Sequence, residues 1–392
     1  MKSRPRFTIL AAFVQMMMFT QLSSTAISQQ SEPPSAQKSS DQKQASIEAR
    51  AKLRKLAAQK KTYKVGYSPV LDRKEAQLSG IEIPKDEPRR AMLKRAENQR
   101  KWNEYLASLK EKEKSGFRFT RWAGPEQEIR DQVCKEHPGV ALPEKLTDLA
   151  PMLSSFDWRD HGVYLNVMDQ GDCGSCWAFA TTAAFWSNSI INHGKANPNV
   201  SKVGADGKLE FDIADAPMPP PLMSAQPLLN CMAKTKGDCS GGWHGSAFNH
   251  FVEFGAILSN QEYAAKVNPC QQKLGTRAVT WDYVNYPVDQ LPSVQQLKAA
   301  LLEHGPLAVL IRIDEPLKAY KGGVFNERNP GTVNHAILML GWDDRKKAWL
   351  LLNSWGTQWG EVGYAWVAWG SNNVGMYAAW IEVQSTTFAN TR

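Results

Sequence analysis

Apolar and polar positions follow three regimes along the chain. Phe7 to Phe19 is a largely apolar run of 13 residues behind Lys2, Arg4 and Arg6, followed by small residues at Ala26 and Ser28. A helix of that length spans about 20 Å, short of the roughly 30 Å hydrocarbon core, so residues 1–28 read as a secretory signal cut before Gln29, not as an anchor. No other segment is long and apolar enough to cross a bilayer. Residues 29–46 contain no aromatic and no aliphatic residue except alanine. Such a stretch buries too little apolar surface to offset its ordering entropy, so disorder is expected. Ile47 to Lys61 is a marginal basic helix, and 29–86 as a whole reads as a disordered, basic pro-segment. Met92, Leu93, Ala96, Tyr105, Leu106 and Leu109 recur at helical spacing within 87–113, predicting a helix.

Proline and glycine punctuate 138–151, and composition changes there. Most Trp and Gly residues and five of the six cysteines lie downstream, which places a domain boundary near residue 150 and a mainly helical segment at 87–150. In 151–392 an apolar helix is predicted from Cys176 ("CWAFATTAAFWSNSIIN"). Strand-length apolar runs come later, at 306–313, 335–342, 348–353, 363–369 and 376–383. Helix first and strands later is the order of an α+β fold. The stretch 196–221 is loop-like, and Asn199 opens an Asn-x-Ser glycosylation acceptor.

Charge refines the picture. The chain has 392 residues and a net charge of +8. Lys and Arg exceed Asp and Glu by 11 within residues 1–150 and fall short by 3 after that. The basic character thus sits outside the C-terminal domain. Without zinc-finger spacing or aromatics among the basic runs, no nucleic-acid role is indicated.

The candidate chemistry centres on "QGDCGSCWAFA". Cys173 and Cys176 could form a redox couple, half a zinc site, or a disulfide beside a nucleophile, and a separate zinc site could be drawn from Cys231, Cys239, His244 and Cys270. Five cysteines in the C-terminal part leave at least one outside any disulfide within it, and an odd thiol in an exported protein is a candidate for reactivity. Cys176 lies where a glycine-containing turn enters the apolar helix, and a helix N-terminus favours a thiolate. His335 opens one apolar strand-like run and Asn353 ends another. Adjacent strands would join them, and an Asn side chain can orient an imidazole without taking its proton.

"QGDCGSCWAF", "NHAILMLGW" and "NSWGTQWGEVGY" resemble the signature blocks of papain-like cysteine proteases, the papain and cathepsin L group. "FDWRDHG", "SAQPLLNC" and "GDCSGGWHGSAF" extend the resemblance over about residues 153–385. His335 and Asn353 follow Cys176 by 159 and 177 residues, against roughly 130–150 in the family. An insertion at 196–221 accounts for most of the excess.

The resemblance implies a two-lobed fold with a helical left lobe and a barrel-like antiparallel right lobe. It implies Cys176 as nucleophile and His335 as base and acid, the pair resting as thiolate and imidazolium. Asn353 would orient His335 under Trp355, and Gln170 would serve as oxyanion donor. Cys173 would pair with Cys239 and Cys231 with Cys270, leaving Cys176 free. Gly241 and Gly242 would bind substrate backbone. Trp243, His244, Leu310, Ala336 and Ala379 would line an apolar pocket for the second residue before the cut (P2). The N-terminal part would be a propeptide that lies through the cleft in the non-productive direction and is cleaved near 145–155. No metal or cofactor is implied. The expected partners are protein or peptide substrates and the chain's own propeptide, with a monomer that makes no stable membrane insertion after signal cleavage. The competing expectation is an exported, non-catalytic binding protein on the same fold.

Overall fold

The computed structural model describes residues 34–59, 61–114, 117–119, 125–192, 200–203, 209–211, 224–233, 236–256, 262–271, 276–384 and 387–389. The signal reading at 1–28, Asn199 and most of the 196–221 insertion lie outside them. The chain divides into Met1–Gln42, of which only helical backbone from Pro34 is described, and Lys43–Arg392. Both disulfides and all of the candidate site residues belong to the second unit.

The N-terminal third contributes α1 (Pro34–Ala57), β1 (Tyr63–Val65), α2 (Glu75–Leu78), α3 (Glu87–Lys114), β2 (Phe117–Phe119) and α4 (Pro125–Glu136). After β3 (Ser155–Asp157) come α5 (Cys176–Asn192), β4 (Val200–Val203), β5 (Leu209–Phe211), α6 (Gln226–Met232) and α7 (His244–Glu253). The last part runs β6 (Ala278–Tyr283), α8 (Val294–His304), β7 (Leu307–Ile311), α9 (Glu315–Lys318) and β8 (Tyr320–Phe325). It closes with β9 (His335–Asp343), β10 (Ala348–Leu352), β11 (Tyr364–Ala368), β12 (Met376–Val383) and β13 (Thr387–Ala389).

A nine-stranded sheet in the order β1-β8-β11-β10-β9-β7-β12-β6, with β3 also on β9, forms one half of an α+β fold. Its pairs are antiparallel except β8 with β11. β9 is buried at every position, as its unbroken apolar run requires of a strand covered on both faces. The five predicted strands are all present, whereas β6 and the Gly-containing β8 gave no comparable run. α5 is apolar on nearly every face and is buried accordingly, packed on β9 and β12. α8 begins at a Ser293/Gln296 capping box. It ends at Gly305, where φ is +86° and a Cβ would lie 2.6 Å from Ile191 Cδ1. No described helix is long and apolar enough to cross a membrane.

The N-terminal third differs from the sequence expectation in three ways. Pro34–Ala57 is helical where 29–46 was expected to be disordered. Ala49, Leu53 and Leu56 pack with Leu71 and Ala319, and the helix runs N-terminally from that anchor. Residues 62–86 are also ordered: β1 pairs with β8, and the backbone then crosses the middle of the catalytic half. Residues 87–114 form the expected helix, but Met92 and Leu93 are exposed and the face that packs carries Ala91, Trp102 and Leu109. That face is set by aromatic partners, since Trp102 packs against His304 and Trp380. Trp102, Ile129, Val133 and Leu149 share one core with the downstream half. The compositional change near residue 150 therefore separates no two compact units.

Candidate active site

Cys176 begins α5, and Cys173 is tied to Cys239 with Cα atoms 4.5 Å apart. Cys231 is bonded to Cys270, leaving Cys176 and the exposed Cys134 as free thiols. The disulfide and a Gly174 N–H bond to the Cys239 carbonyl (2.8 Å) fix the turn that presents Cys176. Among the described residues no cluster of His, Cys, Asp and Glu could hold a metal ion, so the zinc alternative has no counterpart there.

His335 opens β9 and Asn353 follows β10, its antiparallel neighbour. His335 Nε2 lies 2.8 Å from Asn353 Oδ1. An amide oxygen only accepts, so Nε2 carries the proton and Nδ1 is left basic. Nδ1 makes no hydrogen bond. Trp355, 1% exposed, lies over this contact with its ring centroid 4.8 Å from that of His335. The backbone N–H groups of Ala336, Trp177, Gly80 and Cys176 itself approach the Cys176 sulfur, which sets it beside the start of β9.

Gln170 is fixed from two sides. Its N–H donates to the Ser354 carbonyl (2.8 Å), and Ser354 Oγ donates to its Oε1 (2.7 Å). The amide Nε2 then donates to the carbonyls of Cys173 (3.0 Å), Gln77 (3.1 Å) and Leu78 (3.4 Å). Ser354 was not singled out in the sequence, although its position beside Asn353 was available as a signal.

The segment over this site is Gln77 to Glu82. Gly242 N–H donates to Gly80 O (2.9 Å), and Glu82 N–H donates to Gly242 O (3.0 Å). This is a parallel bridge centred on Ile81. Gly80 N–H reaches Asn334 O at 3.3 Å. A Cβ at Gly80 would fall 1.8 Å from Gly174 O, so only glycine fits there. Arg73 grips Asp169 through two bonds of 2.7 and 2.8 Å, and Asn334 Nδ2 donates to Glu75 Oε1 (2.7 Å). Covered in this way, Cys176 and His335 are both 0% exposed. Burial pushes the thiol up to about 12, partly offset by the backbone N–H groups named above. Burial likewise pushes His335 down to about 4, against the opposing Asn353 contact. In the covered state the pair is therefore neutral at pH 7. The thiolate–imidazolium pair expected from the sequence does not hold here, because desolvation disfavours both charged forms.

The expected subsite residues fall in two groups. Leu310 and Ala336 face one another across β7 and β9. The Trp243 and His244 rings are tilted with centroids 4.2 Å apart, and His244 Nε2 lies 3.1 Å from Tyr377 O, two residues before Ala379 on β12. His244 is fully buried, which pushes it down to about 3 and keeps it neutral. Gly241 has φ +155°, and a Cβ at Gly242 would lie 2.6 Å from the Trp177 ring. A Cβ at Gly241 would lie 2.9 Å from Glu82 Cγ, so this glycine lets the covering segment approach.

Comparison with known proteins agrees with this geometry. A family model described as "Papain family cysteine protease" matches residues 152–204 and 210–383, with its gap inside the expected insertion. The chain is 31% identical over 232 residues to "Gamete and mating-type specific protein A" of Dictyostelium discoideum, covering 57% of this chain and 44% of that protein. It is 31% identical over 258 residues to "Cathepsin S" of Bos taurus, covering 64% of this chain and 67% of that one. The chain thus spans less than half of the first relative and about two thirds of the second. The solved structure of a digestive procathepsin L2 proteinase from Tenebrio molitor shares the fold, with a TM-score of 0.57 at 23% identity over 88% of this chain and 94% of that one. By the family match, the order of its blocks and the arrangement of Cys176, His335 and Asn353, the chain belongs to the papain family of cysteine proteases.

Proposed function

We propose that the chain is the precursor of an exported cysteine endopeptidase, with the residues before about 150 as its propeptide. Cys176 Sγ attacks the substrate carbonyl after giving its proton to His335 Nδ1. His335 returns that proton to the leaving amine, leaving a thioester on Cys176. Water, deprotonated by His335, then releases the acid and restores the thiol. Asn353 keeps His335 in the tautomer this needs. Gln170 Nε2 and the Cys176 N–H stabilise the oxyanion.

The observation that carries this reading is the Gln170 amide, which already binds the carbonyls of Gln77 and Leu78 beside the N-terminus of α5. Carbonyl oxygens of the propeptide stand where a substrate oxyanion would. The parallel pairing of residues 80–82 with Gly242 fits a propeptide laid against the direction of a substrate. Gly241 and Gly242 would pair with the acyl side of a substrate after the propeptide leaves. Leu310, Ala336, Ala379 and the neutral His244 favour an apolar or aromatic P2 residue. The processed enzyme acts as a monomer on protein or peptide substrates.

The test is a peptide-library digest by the processed protein and its Cys176→Ala variant. Internal cleavage after apolar-x pairs by the first and none by the second is expected. No cleavage by either would defeat the reading.

A further inference from the structure

Beside the cleft wall formed by Gly242 and Trp243 is a hollow lined by Glu87, Trp243, Gly245, Trp281, Tyr283 and Tyr286. The peptidase chemistry makes no use of its polar groups. Trp243 is 3% exposed, and its Nε1–H is directed at the Tyr283 hydroxyl. Tyr283 Oη donates to Glu87 Oε1 at 2.6 Å. Both donors border one point in space: a Cβ at Gly245 would lie 2.8 Å from Trp243 Nε1 and 2.9 Å from Tyr283 Oη. The missing side chain at Gly245 is therefore what keeps the hollow open. The acceptor of the Tyr283 hydroxyl is a carboxylate, 5% exposed, carried by the segment that processing removes.

Once Glu87 leaves, the Tyr283 hydroxyl loses its acceptor, and a buried donor without an acceptor is unfavourable. Asp282 also lines the hollow, but its Oδ1 already accepts from the Tyr286 hydroxyl and the Tyr283 N–H. A basic side chain would meet Asp282 and Asn249, whose Oδ1 atoms already accept from Tyr286, Tyr283 and Trp281. The hollow lies against β6, the sheet edge, and β12 separates it from β7 with Leu310. It is thus farther from Cys176 than the apolar P2 surface.

We propose that in the processed enzyme this hollow is a subsite for a carboxylate side chain, Glu before Asp, upstream of P2 on the acyl side of the scissile bond, held by Tyr283 Oη with the Trp243 indole N–H behind it. In the precursor Glu87 occupies the same subsite and anchors α3. The proposal rests on the peptidase reading, and its test separates the two.

Peptides with an apolar P2 and Glu, Gln, Leu or Lys at each upstream position are compared by kcat/KM on the processed enzyme. Their binding to the processed Cys176→Ala protein is measured in parallel. Glu should exceed Lys roughly tenfold at one upstream position, in the range of a hydrogen bond to a charged group. Gln should fall between them, and Tyr283→Phe and Gly245→Ala should each remove the difference. Equal treatment of Glu and Lys at every position, or a difference that survives both substitutions, overturns the proposal. If no peptide is cleaved, the peptidase reading fails, and binding to the Cys176→Ala protein still decides whether the hollow selects a carboxylate.

Discussion

Gly80 is the point at which a single methyl group should unseat the propeptide. A Cβ there would sit 1.8 Å from the Gly174 carbonyl oxygen, 2.5 Å from its carbon and 3.0 Å from its Cα. All three are backbone atoms, and Gly174 cannot recede. Its own Cβ position is hemmed in by Ser79 O at 2.6 Å and Cys239 O at 2.9 Å, and Cys239 is the disulfide partner of Cys173. In Gly80→Ala the propeptide must lift off. The bonds at stake are Gly242 N–H to Gly80 O, Glu82 N–H to Gly242 O and Gly80 N–H to Asn334 O. At a net ~0.5–1.5 kcal/mol each, their loss weakens the cover by about 2–4 kcal/mol. That is a rise of roughly 30- to 700-fold in the uncovered fraction. The assay is the initial rate at which a small thiol-alkylating reagent modifies Cys176 of the unprocessed chain at pH 7.5, with circular dichroism confirming the fold. Gly80→Ala should react at least tens of times faster than the unaltered precursor. Equal rates in two folded proteins would refute the argument that the Gly80–Gly174 contact seals the cleft.

Three further outcomes are expected from the same geometry. Asn353→Ala should lower kcat of the processed enzyme about 100-fold with little change in KM, because His335 loses the partner that fixes its tautomer; steady-state kinetics reads this. Trp102→Ala should destabilise the precursor by about 3–5 kcal/mol and leave the processed enzyme unchanged, since Trp102 belongs to α3; thermal unfolding of both forms measures it. His335 sits near 4 in the covered state against an ordinary 6.5. The unfolded chain therefore binds the extra proton between these values, and precursor stability is lost as pH falls from 6.5 to 4, by about 3 kcal/mol from this group. Denaturation midpoints over that range should show the loss, and His335→Ala should flatten the slope by one proton while His244 still contributes.

The site was largely legible because its parts sit at the ends of strongly patterned elements. Cys176 begins an apolar helix, His335 begins a strand buried throughout and Asn353 follows its neighbour, so the pattern suggested that His335 and Asn353 could meet, and the family resemblance joined Cys176 and Gln170 to them. The covering segment was not legible. Residues 77–82 act through backbone carbonyls and N–H groups pressed on Gly242, Gln170 and Asn334, and such contacts leave no hydrophobic period. Glu87 and Tyr283 are 196 positions apart, and nothing local to either announces their contact. The same holds for α1, whose polar first half is helical because a few apolar residues near its end dock on Leu71 and Ala319. The charge state of Cys176 and His335 in the precursor was not legible for a related reason. The motif describes an open cleft, and burial by distant residues reverses the preference of both groups.

Everything above turns on Cys176 being a nucleophile held neutral under residues 77–82 until the propeptide is removed. Mass spectrometry after exposure to a thiol-directed peptidyl epoxide decides this, on the chain before and after processing near residue 150. One adduct, on Cys176, is expected in the processed protein, with loss of all peptide cleavage, and no adduct on Cys176 in the intact precursor at neutral pH. Equal labelling of both forms, or a processed protein that cleaves peptides with Cys176 unmodified, would contradict it.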